Sequence, residues 1–202
     1  MEKTIITISR EFGSGGRYIG EEIAKRFGWA YFDKELILKT AEKTGLSEKF
    51  IEQSGEYAPS KNRFAYAFTG RNKEGASLGD YMYAVQREII LDIAEQGPCV
   101  IIGRCADYIL RDRSDCMNVF ICGKTKEKCE RIKRLYQVTE AEAEKLLRDT
   151  DKKRSLHYNY YTEREWGKAG NYALCLNSSD IGYEGCMDII EHLIKADKEE
   201  KA

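Results

Sequence analysis

Thr4–Gly20, TIITISREFGSGGRYIG, is the stretch around which the rest of the chain is organised. An apolar run breaks into a cluster of glycines and then resumes at helical spacing. Ile5, Ile6 and Ile8 read as a strand buried on both faces, and Ile19, Ile23, Ala24 and Phe27 mark one face of a helix. Between them, Gly13, Gly15 and Gly16 permit backbone torsions and close approaches that side chains would forbid. A glycine turn joining a buried strand to a helix N-terminus gathers backbone N–H groups at the positive end of the helix dipole. Such a turn is suited to holding phosphate.

Working outward, Trp29–Phe32 is a second short strand that ends at Asp33, and Lys34–Thr44 is a helix closed by Gly45. In a parallel sheet this sets Asp33 beside the glycine turn, where ligand crevices lie. Ser47–Gln53 reads as another short helix. Residues 54–77 have no clean period, yet they mix aromatic and basic residues in a way that disordered linkers lack, so they read as a substrate-closing flap or a partner-facing loop. Leu78–Gln96 is strongly helical and stops at Gly97-Pro98; Cys99–Ile102 is a third strand with Gly103-Arg104 at its end. A short helix (Ala106–Leu110), a fourth strand (Met117–Cys122) and a basic helix (Lys124–Tyr136) follow. Thr139 with Glu142 forms a capping box, opening a helix toward Arg154. Tyr172–Leu176 is a fifth strand and Gly185–Lys195 an amphipathic closing helix. Strands alternating with helices predict an α/β domain with a parallel sheet and helices on both faces.

Composition narrows the class. At 202 residues with two prolines and no Ser/Gly-rich linker, the expectation is one domain, 1–202, with a mobile insertion. A net charge of −1 asks for neither nucleic acid nor an anionic membrane. The seven cysteines contain no C-x-x-C pair and read as small core residues in a reducing compartment. With no leader-like N-terminus and no apolar run of membrane-spanning length, a cytoplasmic protein is expected.

The glycine turn fits two phosphate-binding patterns equally poorly. As a dinucleotide-binding fingerprint, Gly13-x-Gly15 matches the first half, with Asp33 near the distance of the ribose-binding acid, but Tyr18 stands at the third glycine. As a P-loop, it lacks the G-K-[ST] ending, where Gly16, Arg17 and Tyr18 stand instead. Other stretches separate the two. From Ile8 to Asp33 the chain resembles, without a gap, the N-terminal segment of bacterial cytidylate kinases. Arg148-x-x-Asp151-x-x-Arg154 resembles that family's arginine-rich lid, and NYALCLNSSD its last strand and helix start. The opening ITISREFGSGGRYIGEEIA, with GR-x-x-D-Y-I-L from Gly103 to Leu110, is most similar to the divergent cytidylate kinase-like group whose loop reads GSGG.

That resemblance implies a three-layer P-loop kinase-like fold: a five-stranded parallel sheet with helices on both faces, an acceptor-side flap (46–80) and an arginine-rich lid (139–168). It implies transfer of the γ-phosphoryl group of ATP, with Mg²⁺, to a small acceptor, CMP being the leading candidate. Gly13, Ser14, Gly15, Gly16, Arg17 and Tyr18 would cradle the donor; Arg17, Arg148 and Arg154 would supply the cations that phosphoryl transfer requires. Asp33, Arg104, Asp107 and Asp151 would face the acceptor. No metal ligands are assigned. The family's Arg-Asp pair after the third strand is here Arg104-Cys105, with Asp107 displaced by two residues. The basic residues of 124–136 read as a solvated helix face, His157 and His192 are given no role, and Tyr158, Tyr160, Tyr161 and Trp166 read as packing the lid onto the core or, second, as stacking on a base. Two other classes remain: a nucleotide-binding regulatory protein that lost catalysis with the lysine, and a dinucleotide-binding oxidoreductase.

Overall fold

The computed structural model describes residues 3–49, 51 and 77–199. β1 (Ile5–Arg10) is buried along its whole length because each face carries its own apolar set. Ile6 and Ile8 pack with Ile19 and Ile23 of α1 (Gly16–Phe27) and with Met187, Ile190 and Ile194 of the C-terminal helix α7 (Ser178–Glu199). Ile5, on the opposite face, meets Leu36 of α2 (Lys34–Thr44) and Val85, Ile89 and Ile93 of α3 (Leu78–Glu95). The strand period of two thus divides β1 between two helical layers, and each fully buried isoleucine contributes about 1.5–3 kcal/mol.

β2 (Ala30–Phe32), β3 (Cys99–Ile102), β4 (Cys116–Cys122) and β5 (Leu174–Asn177) complete a parallel sheet of order β2-β3-β1-β4-β5. Insertion of β3 between β1 and β2 differs from the dinucleotide-binding order, in which those two strands are neighbours. That order removes the oxidoreductase alternative. Further helices are α4 (Ala106–Ile109), α5 (Thr125–Tyr136) and α6 (Glu140–Thr162). α5 and α6 pack on each other through Cys129, Ile132, Ala143 and Leu147, with Phe12 of the glycine turn at the edge of that cluster.

Apart from the short helix expected at Ser47–Gln53, which falls partly outside the described residues, the expected elements are present with shifted ends. The last helix begins at Ser178, well before Gly185, and bends at Gly182 (φ 77°, ψ 165°). α6 runs on to Thr162 behind its capping box, in which Thr139 and Glu142 bond reciprocally. Of the cysteines, five are buried as expected, whereas Cys175 is exposed because β5 is the sheet's edge strand. Residues 52–76, with most of the expected 46–80 flap, lie outside the described residues. No helix among the described residues is long and apolar enough to cross a membrane.

Candidate active site at the glycine turn

The turn begins where β1 stops pairing. Glu11 N–H still donates to Ile121 O (2.9 Å), and the Ser14 hydroxyl then folds back onto Glu11 O (2.8 Å). Gly15 caps α1 at φ 84°, in the left-handed region; a β-carbon there would also lie 2.6 Å from Cε1 of Tyr183. No acidic side chain occupies the first turn of α1, which leaves the positive end of its dipole unneutralised by its own residues. Gly15 caps the helix and so takes the second glycine of a P-loop count G-x-x-x-x-G-K-[ST], one residue earlier than the ending at Gly16, Arg17 and Tyr18 expected from the sequence. Gly16 then stands at the lysine, Arg17 at the hydroxyl residue and Arg10 at the first glycine.

A cleft of about 90 Å³ opens on the turn, lined by Arg10, Arg17, Arg131 and Arg154 around Gly15 and Gly16, with an apolar wall of Phe12, Leu135 and Tyr136. On the other side of the turn, a cleft of about 200 Å³ lies between Gly13, Lys128 and the start of α7 at Ser178, Ser179 and Tyr183. A third cleft sits at the carboxyl ends of β1 and β3, bounded by Ser9, Arg10, Arg104, Arg154 and His157. Here the backbone is strained: Arg104 and Cys105 both have positive φ (58° and 57°), at about 1–3 kcal/mol each. Arg104 Nη1 is buried with no hydrogen-bond partner among the described residues, another cost of about 1–3 kcal/mol. Strain and an orphaned donor at one point are what a ligand site stores.

The residues singled out from sequence fall into three groups. Gly13, Gly15, Gly16, Arg17 and Arg154 do line the turn cleft, and Arg104 the third cleft. Arg17 is held by Asp33 through Nε (2.8 Å) and a second nitrogen (3.2 Å), so these two expected site residues meet each other. Tyr18 is 40% exposed and leans on the Tyr183 ring, while Ser14 is buried in the turn. Arg148 is brought to none of these clefts; its exposed guanidinium faces Glu144 on its own helix at 3.5 Å.

Two carboxylates are placed otherwise than expected. Asp107 is 2% exposed and does not line the third cleft. It accepts from Tyr158 (2.7 Å) and Ser9 (3.4 Å), and burial pushes its carboxyl above the usual range. The reason is local: α4 starts at Ala106, and its first turn directs Asp107 into the interior under β1. Asp151 turns to the glycine turn instead of the acceptor side, accepting from Phe12 N–H at 2.7 Å. Burial raises it to about 6, against the pull of that bond, Arg154 and Lys128.

Three functional candidates escaped the sequence reading. Arg10 is given no role from the sequence. Lys128 and Arg131 looked solvated, but Lys128 is buried with its ammonium on Glu11 (2.7 Å) and 3.9 Å from Asp151, while Arg131 donates to Tyr183 OH (2.8 Å). The signal was available: Lys128, Cys129 and Ile132 share the inward stripe of α5 at i, i+1, i+4. The motif's metal hydroxyl has no counterpart, since Arg17 stands there and Ser9 and Ser14 are committed to Asp107 and Glu11. No group of three or more His, Cys, Asp or Glu that could hold a metal occurs among the described residues. The turn does not fit a protein-held Mg²⁺ of the P-loop kind.

Strand order, glycine turn and the arginines around it define a P-loop kinase-like α/β protein. Within that class the chain belongs to the cytidylate kinase-like family, whose model matches residues 5–180. It is similar to an uncharacterized protein from Eubacterium ventriosum at 25% identity, with 95% of this chain and 98% of that one covered and a TM-score of 0.72. It shares its fold with a shikimate kinase from Bacteroides thetaiotaomicron at 14% identity, 95% and 98% coverage and a TM-score of 0.55. A gluconokinase from Sinorhizobium meliloti has the same fold at 13% identity, 99% and 98% coverage and a TM-score of 0.54. No curated protein sequence matches the chain.

Proposed function

We propose that the protein is a phosphotransferase that moves the γ-phosphoryl group of ATP to a small acceptor, a nucleoside monophosphate such as CMP. The observation that carries this reading is the adjacency of two cation-lined clefts at the carboxyl edge of the sheet. One lies on the glycine turn, the other on the strained Arg104, and Arg154 lines both. In this reading the turn's N–H groups and Arg17 hold the donor phosphates, and the acceptor's oxyanion satisfies the orphaned Arg104 Nη1. An oxygen of the acceptor bonds to the γ-phosphorus as the bond to the β,γ-bridging oxygen breaks. The electron pair stays on ADP, and any acceptor proton leaves to solvent.

Arginine suits this task through its permanent charge and forked donors. Residues 139–168 serve as the lid, with Arg148 reaching substrate only if that segment moves. Mg²⁺ enters as the counter-ion of ATP; no step here is assigned to a protein-held metal. An ADP-release assay across CMP, other nucleoside monophosphates, shikimate and gluconate tests the reading. Turnover highest with CMP supports it. ATP binding without phosphoryl transfer to any acceptor favours the alternative of a nucleotide-binding regulatory protein, to which the Arg17–Asp33 pair and the absent lysine give some support.

A further inference from the structure

At Gly16, the lysine position of the P-loop count, a β-carbon would lie 2.6 Å from Arg10 Cβ and 3.1 Å from Arg10 Cγ. Real β-carbons do not approach so closely, so a side chain at 16 and the Arg10 side chain exclude each other. The motif carries glycine where Arg10 stands and a cation where Gly16 stands; in this chain the two have changed places. Gly103 makes a third part of the arrangement, since a β-carbon there would overlap Nη1 of Arg10. The arginine therefore runs from the end of β1, past the start of α1, to the end of β3, with the residue only 6% exposed.

Arg10 and Arg154 are the two residues that line both the turn cleft and the acceptor-side cleft. They are also tied together, Arg154 Nη1 donating to Arg10 O at 3.1 Å. A group passing from donor to acceptor must pass them. Arg17, the other candidate for the missing cation, leaves the outer side of the turn, is half exposed and is engaged by Asp33 through two of its nitrogens. We propose that Arg10 is the catalytic cation that replaces the P-loop lysine, contacting the γ-phosphoryl oxygens during transfer. The proposal rests on the phosphotransferase reading and gives it a specific residue. The guanidinium spreads its charge over a planar fork, which matches the equatorial oxygens of a phosphoryl group in flight.

The test uses the full chain and Arg10→Gln, Arg10→Gly and Arg10→Gly/Gly16→Lys. Thermal stability is recorded for each, so that a folding defect is seen separately. Two quantities are read: kcat with the best acceptor, and the ratio of ATP to ADP affinity, which needs no turnover. Loss of a transition-state cation lowers kcat by about 100- to 1,000-fold. Arg10→Gln is expected to show that loss with a nearly unchanged acceptor KM, and to erase the preference for ATP over ADP. The double variant is expected to regain at least about tenfold over Arg10→Gly, because it rebuilds the usual placement of the lysine.

An Arg10→Gln protein of native stability that keeps kcat within about threefold and keeps the ATP preference overturns the proposal while leaving the phosphotransferase reading intact. Should the native chain transfer phosphoryl to no acceptor and yet lose its ATP preference in Arg10→Gln, the kinase reading fails and the γ-phosphate contact stands. If the variants unfold, the double variant decides: recovered stability without recovered ATP preference assigns Arg10 a packing role and refutes the proposal.

Discussion

Replacing Lys128 with Met removes the one ammonium that reaches under the glycine turn from α5. Its side chain is 6% exposed, against 26% for Glu11 and 17% for Asp151, so the charges it faces are mostly shielded from water. Breaking a fully buried pair costs about 3–5 kcal/mol. Glu11 keeps the Gly123 N–H (3.0 Å) and some solvent, and the Met stem keeps the lysine stem's place beside Gly13 and Gly123, which brings the expected loss to about 2–3 kcal/mol. For a chain of this size that is a fall in Tm of about 4–12 °C. The loss also depends on pH. Asp151 is raised from 3.8 to about 6, so its burial favours folding at low pH, and that contribution is lost as pH rises through about 6. Lys128 offsets part of that loss only while the carboxylate is ionised. Reversible urea unfolding near pH 7.5 should therefore show the full deficit, and near pH 5 a smaller one. A deficit below about 1 kcal/mol near neutrality, the size of an exposed ion pair, refutes the reasoning. So does a deficit that is the same at both values.

Four other outcomes follow from the geometry. Tyr158→Phe takes the 2.7 Å donor from a carboxyl that is 2% exposed, costing about 2 kcal/mol in urea unfolding, with a smaller cost in acid where Asp107 is protonated. Gly15→Ala must hold φ 84° and meet the Tyr183 ring at 2.6 Å, so ATP affinity measured by calorimetry falls at least about tenfold. Arg104→Gln raises the KM for a phosphorylated acceptor about 10- to 100-fold without changing that for ATP, a charge-assisted hydrogen bond being worth about 1.5–3 kcal/mol; equal changes in both would detach Arg104 from the acceptor. Asp151→Ala speeds hydrogen exchange at the Phe12 amide, whereas Asp151→Asn, which retains an acceptor oxygen, leaves it slow.

Local pattern carried the architecture because each strand and helix announces itself through burial. The run at Ile5–Ile8 and the spacing of Ile19 and Ile23 are the two halves of one packed unit, and the glycines between them could only be a turn. Strand order was less legible, since β3 enters between β1 and β2 after a long excursion that leaves no local trace. Candidate site residues were legible where the turn needs a special backbone, as at Gly15, and illegible where a charged side chain is buried by tertiary contacts. Arg10 and Lys128 are of the second kind. A charge at the end of a strand, or among four other basic residues on α5, reads as solvated until the partner element is known. Asp107 and Asp151 failed in the opposite sense: their sequence position near the motif residues was informative, but the direction of each carboxyl is set by the helix that carries it.

That helix-set direction explains how α6 is attached. Asp151, Arg154 and Tyr158 recur at i, i+3 and i+7 and so share one face of the helix. Along that face they bind Phe12 N–H, Arg10 O and the Asp107 carboxylate, two backbone groups at the entry to the glycine turn and one buried side chain beside β1. A helix pinned to backbone cannot rotate by a residue without losing all three contacts together. Upstream of Asp151 the attachment is of another kind: Ala143 and Leu147 rest on Cys129 and Ile132 of α5, and Arg148 reaches only solvent and Glu144. Closure of a lid over residues 139–168 would therefore hinge near Asp151, with the first half of α6 moving while its second half stays with the sheet and α5 stays tied to Glu11 and Tyr183. Arg154 and Arg10 would stand on the fixed side of that hinge. They would be in place before the donor arrives, as preorganised charge must be if it is to act without a cost of rearrangement at the moment of transfer.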